Sequence, residues 1–248
     1  PVPARKTSTP NNISTTTTAS DATLVGADPD FARSWWSISV SAAGLPTITS
    51  AMTIDASSQR GYSGSPIIEL DGSLVTGSDP NGLTLETSGT TIRGFVINRF
   101  ADDAIEIDNQ GGGNAIVGNY IGTDVSGLAS GYGNRYGITV KSDGNTIGGT
   151  TDADRNLIAA NSTQSDSFGI GFWQDADHNV VQGNLIGVSA NGMTPMSNRQ
   201  GVTFQSTAHD NLIGGTSAGA GNLIVHNSQN GVDVIAGTNN ALLGNRIS

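Results

Sequence analysis

Cysteine is absent from these 248 residues, so no covalent staple holds the fold and its stability must come from packing and hydrogen bonds. Aromatic residues make up only 5% and charged residues 13% of the chain, too few for a charge-laced helical protein. No apolar run approaches the roughly 18 residues of a membrane span, and no stretch keeps helical periodicity. Cationic residues are the scarcer sign, 11 against 21 acidic, giving a net charge of −10 and a pI near 4.4. That balance excludes nucleic acid, which needs a basic surface. No P-loop, CxxC or Ser-His-Asp set occurs. No signal peptide opens the sequence at Pro1, so it reads as a mature or trimmed chain.

Glycine, at 34 residues, and asparagine are what the chain has in quantity, and they recur in order. Asn145-Thr-Ile-Gly-Gly-Thr150 returns about 66 residues later as Asn211-Leu-Ile-Gly-Gly-Thr216, and Asn156-Leu-Ile returns as Asn222-Leu-Ile. Interleaved with these are Asn114-Ala-Ile-Val-Gly-Asn119, Asn179-Val-Val-Gln-Gly-Asn184 and Asn240-Ala-Leu-Leu-Gly-Asn245. A fixed repeat of this kind means a solenoid, whose units bury apolar surface only against their neighbours.

Each unit opens on an alternating tetrapeptide: Gly82-Leu-Thr-Leu, Ala104-Ile-Glu-Ile, Gly137-Ile-Thr-Val, Gly169-Ile-Gly-Phe, Gly201-Val-Thr-Phe and Gly231-Val-Asp-Val. Alternation is the signature of a strand with one buried face, so the unit reads as a coil of three short strands and three turns. The stretch Gly82 to Asp103 is the minimal coil. Longer coils insert either between the second and third strands (Thr151 to Arg155, Ser217 to Gly221) or after the third (Thr123 to Asn134, Val188 to Asn198). The two types alternate, which should place like loops on one side, two coils apart. The series Asn114, Asn145, Asn179, Asn211 and Asn240 predicts a structural ladder of amides up one column of turns. Asn also tolerates the left-handed backbone that tight turns demand.

The stretches IGGTTDADRNLIAAN, IGGTSAGAGNLIVHN and GNYIGTDVSG resemble the right-handed parallel β-helix repeats of the pectate-lyase-like superfamily, most closely the Asn-rich version in bacterial secreted and surface proteins. Leu45 to Gly72 resembles the segment that opens such helices. The resemblance covers about Trp36 to Ser248 and implies an all-β, single-stranded right-handed parallel β-helix of about seven to eight coils. Residues 1–35 then form an extended Ser/Thr/Pro-rich N-terminal segment and residues 36–248 the helix. An extracellular or cell-surface location is likewise implied by the resemblance alone. Superfamily members include lyases, hydrolases, epimerases and adhesins, so fold does not settle function.

The outward positions of the first strand run Thr84 and Glu86, Glu106 and Asp108, Thr139 and Lys141, Gly171 and Trp173, Thr203 and Gln205, then Asp233 and Ile235. Glu86, Glu106 and Asp108 should lie near one another, a set that can hold Ca²⁺; no other cofactor is indicated. By resemblance to the superfamily's lyases, Lys141 is the candidate base, with Asp108 beside it and Trp173 as a sugar platform. The opposing reading is a solvated sheet face with Lys141 paired to Asp108. His178 and His209, beside Asp177 and Asp210, are a weaker metal candidate, and Asn12 and Asn161 head N-glycosylation sequons.

Aligned on Asn184 and Asn245, Ser248 is the counterpart of Gly187, and no capping element follows. An open coil end invites strand pairing. The residues favour a non-catalytic structural protein, extracellular by the resemblance. One form is a filament subunit self-associating head-to-tail through open coil ends and the N-terminal segment, and another is a section of a large surface adhesin. The alternative is a carbohydrate-binding or lyase-like module using Glu86, Glu106, Asp108, Lys141 and Trp173.

Overall fold

The computed structural model describes residues 13–15, 35–78 and 80–248. The first described strands are β1 (Ile13–Thr15), β2 (Trp36–Ser39), β3 (Thr53–Asp55) and β4 (Ile68–Asp71). Coils of three strands follow: β5 (Leu83–Leu85), β6 (Thr91–Arg93) and β7 (Phe95–Asn98), then β8 (Asp103–Ile107), β9 (Ala115–Val117) and β10 (Tyr120–Ile121). Next come β11 (Tyr136–Val140), β12 (Thr146–Gly148) and β13 (Leu157–Ile158), then β14 (Phe168–Phe172), β15 (Val180–Gln182) and β16 (Leu185–Ile186). The last two are β17 (Gln200–Phe204), β18 (Leu212–Gly214) and β19 (Leu223–Ile224), then β20 (Val232–Val234), β21 (Ala241–Leu243) and β22 (Arg246–Ile247).

Equivalent strands stack into three sheets. The first, six-stranded, runs from β5 to β20; the second, seven-stranded, from β3 to β21; the third, nine-stranded, from β1 to β22. Pairing is parallel throughout except for β1, which lies antiparallel on β2 with Ile13 opposite Ile38. Ile48 bridges to Leu85 and so marks a further coil ahead of β5. Parallel strands rejoining the same sheet do so in the right-handed sense that strand twist imposes. The chain is a right-handed parallel β-helix. Apart from Ile13–Thr15 and Trp35, the expected N-terminal segment lies outside the described residues.

The core is three columns of aliphatic side chains pointing inward. Ile92, Ile116, Ile147, Val181 and Ile213 align on the second sheet, Ile97, Ile121, Ile158, Ile186 and Ile224 on the third, and all are fully buried. The first sheet adds Leu85, Ile107, Val140, Phe172 and Phe204, with the last two rings stacked at 4.9 Å. Like loops meet as their alternation predicts. The amide of Ala190 donates to the carbonyl of Gly127 (2.9 Å), linking the two loops that follow third strands. A Cβ on Gly219 would sit 2.1 Å from the Thr150 carbonyl, so the other pair of loops also touches.

The expected Asn ladder is present, and two more run beside it. In the first two columns the side-chain oxygen accepts both the main-chain N–H and the Nδ2 of the Asn one coil earlier, and the third does the same until its last step, where Asn227 accepts only the Nδ2 of Asn198. Asn114 donates to Asn145, Asn145 to Asn179, Asn179 to Asn211 and Asn211 to Asn240, at 2.7–3.1 Å. The second column runs Asn119, Asn156, Asn184, Asn222, Asn245. A third runs Asn134, Asn161, Asn198, Asn227. The left-handed explanation is corrected. The ladder residues themselves do not adopt positive φ; the residue before each one in the first column does, in the order Gly113, Gly144, His178, Asp210, Asn239. Asn is selected at the ladder for its amide and not for its backbone. Asn161 is fully buried and donates to the Ile121 carbonyl (3.2 Å), so its sequon is closed to glycosylation.

Candidate functional site

The outward face of the first sheet forms in the register read from the sequence. Thr84, Glu106, Thr139, Gly171, Thr203 and Asp233 align across six strands. What lies on it is a closed polar network. Glu106 is nearly buried and accepts from the Lys141 ammonium on one oxygen and from Asn81 Nδ2 (2.7 Å) on the other. The expected Lys141–Asp108 pairing is thus replaced by Lys141–Glu106, because Glu106 lies deeper and is desolvated unless paired. Asp108 instead accepts from the amide of Asn109 (2.6 Å), a turn contact. Glu86 lies one coil earlier, half-buried.

Asp103 is the residue that sequence reasoning passed over. It is 6% exposed, its amide donates to Asn81 Oδ1 (3.0 Å), and its carboxyl accepts from the Thr139 hydroxyl. Burial pushes its pKa up to about 8; the Thr139 hydrogen bond opposes the rise, while the charges of Glu106 and Asp102 add to it. Burial therefore favours the neutral form of Asp103 beside the Lys141–Glu106 pair. Desolvation pulls the Lys141 ammonium down, but its bond to Glu106 and the charges of Glu106, Asp108 and Asp103 carry it above its ordinary value. A lysine held protonated in this way is a poor proton acceptor. The sequence signal for Asp103 was its place opening an alternating strand, where a carboxylate normally stays outside.

Aromatic rings continue the face. Tyr136 stacks on Phe168 at 4.3 Å, Phe168 packs against Trp173 at 6.5 Å, and Arg135 lies 4.7 Å over the Tyr136 ring. Arg135 and the Tyr136 hydroxyl both donate to Asp166 at 2.6 Å, and these bonds hold the Asp166 carboxyl at about 2. The Trp173 indole N–H and the Thr203 hydroxyl are buried without a hydrogen-bond partner. An open groove of about 390 Å³ lies beyond the network, lined by Asn109, Lys141, Asp143, Gln174 and Asp175 among others.

Among the described residues no three His, Asp or Glu side chains are grouped so as to hold a metal ion, which applies to Glu86, Glu106 and Asp108 and to the histidine cluster alike. His209 is instead held between two carboxylates, Nε2 to Asp177 and Nδ1 to Asp210, both at 2.8 Å. His178 occupies the left-handed position of its turn, φ 56°.

No family model matches the chain, and no curated protein does. Among solved structures, the crystal structure of pectate lyase Pel9A aligns over 86% of this chain and 68% of that one, at 14% identity and a TM-score of 0.23. A likeness that slight says nothing of activity. No helix among the described residues is long and apolar enough to cross a membrane.

Proposed function

We propose that this chain is a non-catalytic structural β-helix, a rigid extracellular rod that spaces or builds a surface assembly. The observation that carries the reading is that the groups best suited to chemistry satisfy one another. Glu106 is taken up by Lys141 and Asn81, Asp103 by Thr139 and Asn81. A site awaiting substrate leaves donors and acceptors facing outward. Three buried ladders tie consecutive coils together and suit a load-bearing role. Placement at the cell surface rests on the resemblance of the repeats to those of bacterial secreted and surface proteins.

A carbohydrate-binding role is the second reading, favoured by half-buried Trp173 beside Phe168 and the groove at Lys141. One experiment separates the two. The chain, Lys141→Ala and Trp173→Ala are assayed for binding and cleavage of acidic and neutral polysaccharides, with and without Ca²⁺. Neither binding nor turnover is expected from any of them. Ca²⁺-dependent cleavage lost in Lys141→Ala would overturn the structural reading, and binding lost only in Trp173→Ala would replace it with the second.

A further inference from the structure

The third sheet carries apolar side chains on its outer face as well as its inner one. Val96, Tyr120, Leu157, Leu185 and Leu223 stand in register, one coil apart. Each precedes an inward isoleucine, so strand alternation turns it outward. Val96 and Leu157 are nevertheless buried. Their cover comes from the insertions, because each third strand lies between the two places where loops are added. Val125, from the loop Thr123 to Asn134, packs in one cluster with Ile67 and Val96. Met196 and Ala190, from the loop Val188 to Asn198, pack in another with Leu157. A Cβ on Gly127 would sit 2.8 Å from Tyr120, Leu157 and Ala190, so the first of these loops rests directly on the sheet.

The cover is incomplete. A cavity of about 150 Å³ stays open at Leu157 and Leu185, and Tyr62, Tyr120, Asp152 and Arg155 also line it. That is the volume of about five waters at roughly 30 Å³ each, room for one six-membered ring and not for a chain of them. Arg155 Nε donates to the Gly183 carbonyl at 2.9 Å, and Nη2 pairs with Asp152 at 2.8 Å. The other guanidinium nitrogen and the second Asp152 oxygen meet no partner among the described residues. The polar groups of this cavity therefore keep the free donors and acceptors that the network around Glu106 has used up.

We propose that this cavity on the third sheet binds a single neutral pyranose ring. The carboxylate and the guanidinium cancel, so a ligand with net charge gains nothing from the pair. A sugar hydroxyl both donates and accepts, and two neighbouring hydroxyls can meet Asp152 and Arg155 together in charge-assisted bonds. The C–H face of the ring then covers the tyrosine and leucine walls. The inference adds a ligand to the structural reading without resting on it, since the cavity lies on a different sheet from Lys141 and Trp173.

The test titrates methyl glycosides of glucose, galactose and mannose into the isotope-labelled chain, with glucuronate as the anionic control. At least one glycoside is expected to shift the amides of Gly118, Leu185 and Ala190 with a Kd on the order of 1 mM. The amides of Lys141 and Trp173 should stay in place. Asp152→Ala alters a side chain that is 89% exposed and carries no packing, and it should weaken binding roughly tenfold. Absence of shifts at the three amides with every glycoside would overturn the proposal, as would undiminished affinity in Asp152→Ala or tighter binding of glucuronate. Shifts at Lys141 and Trp173 in their place would also overturn it and would support the carbohydrate reading of the first sheet.

Discussion

Replacing Asp103 by asparagine should make the protein more stable at neutral pH, although it removes a buried, hydrogen-bonded side chain. The carboxyl ionises near its ordinary 3.8 when unfolded and at about 8 when folded. Its contribution is thus fully present below pH 4, falls as pH rises, and is lost by about pH 8, where both states are ionised. At about 1.4 kcal/mol per pH unit, that span bounds the loss at about 6 kcal/mol. Local relaxation around the buried charge reduces it to a few kcal/mol. Asparagine keeps an oxygen for the Thr139 hydroxyl and the main-chain N–H for Asn81, and it has no charge to desolvate. Urea unfolding of both proteins from pH 3 to 9 gives the difference curve, in which every other titrating group cancels. The curve should be near zero or slightly unfavourable to Asp103→Asn at pH 3–4 and rise in its favour until about pH 8. A flat curve would mean that Asp103 is ionised in the folded protein, and the account of the network would fall with it.

Asn184→Ala in the middle of the second ladder leaves the buried N–H and Nδ2 of Asn156 without their acceptor at 3.1 and 3.0 Å, and should cost roughly 3–5 kcal/mol by denaturant titration. Gly183 and Gly113 share a left-handed backbone, φ 66° and 64°, but a Cβ on Gly183 would meet the Gly149 carbonyl at 2.1 Å while one on Gly113 meets nothing within 4 Å. Gly113→Ala should therefore cost only about 1–2 kcal/mol of backbone strain, whereas Gly183→Ala should displace the neighbouring coil and cost clearly more. Equal thermal shifts would refute that distinction. Arg135→Ala should cost less than about 1 kcal/mol, since both partners are partly exposed. It should nonetheless let the Asp166 carboxyl climb from about 2 toward the usual carboxylate range, read by NMR titration, and remove the stability that the pair loses as pH falls through that interval.

The architecture was legible because its signals are periodic. Alternating tetrapeptides located the first sheet to within a residue, and the outward list from Thr84 to Asp233 matches the observed register. The second and third ladders carry the same signal as the first, since Asn156 and Asn222 recur in it, yet a repeat shows only that a residue returns. Whether its amide faces the next coil depends on which side of the turn it occupies. That is also why the left-handed role moved one residue earlier, onto Gly113, Gly144, His178, Asp210 and Asn239, a set of five positions with four different residue types and hence little sequence pattern.

The outward face was harder to read because its meaning is set by depth. Sequence places Glu106, Asp108 and Lys141 on one surface but does not say which carboxylate loses its water. Glu106 and Asp103 lie under neighbouring side chains and must be paired or protonated, while Asp108 sits at the strand's end and needs neither. In a solenoid with one residue per strand spacing, the side chains above and below are the nearest partners for a strand residue. Lys141 therefore reaches back one coil to Glu106, Asn81 reaches forward one coil to the same carboxylate, and Thr139 reaches back to Asp103. The polar network on the outside repeats the logic of the Asn ladders inside, coil binding coil, and this shared geometry argues that the carboxylates of the first sheet hold the stack together.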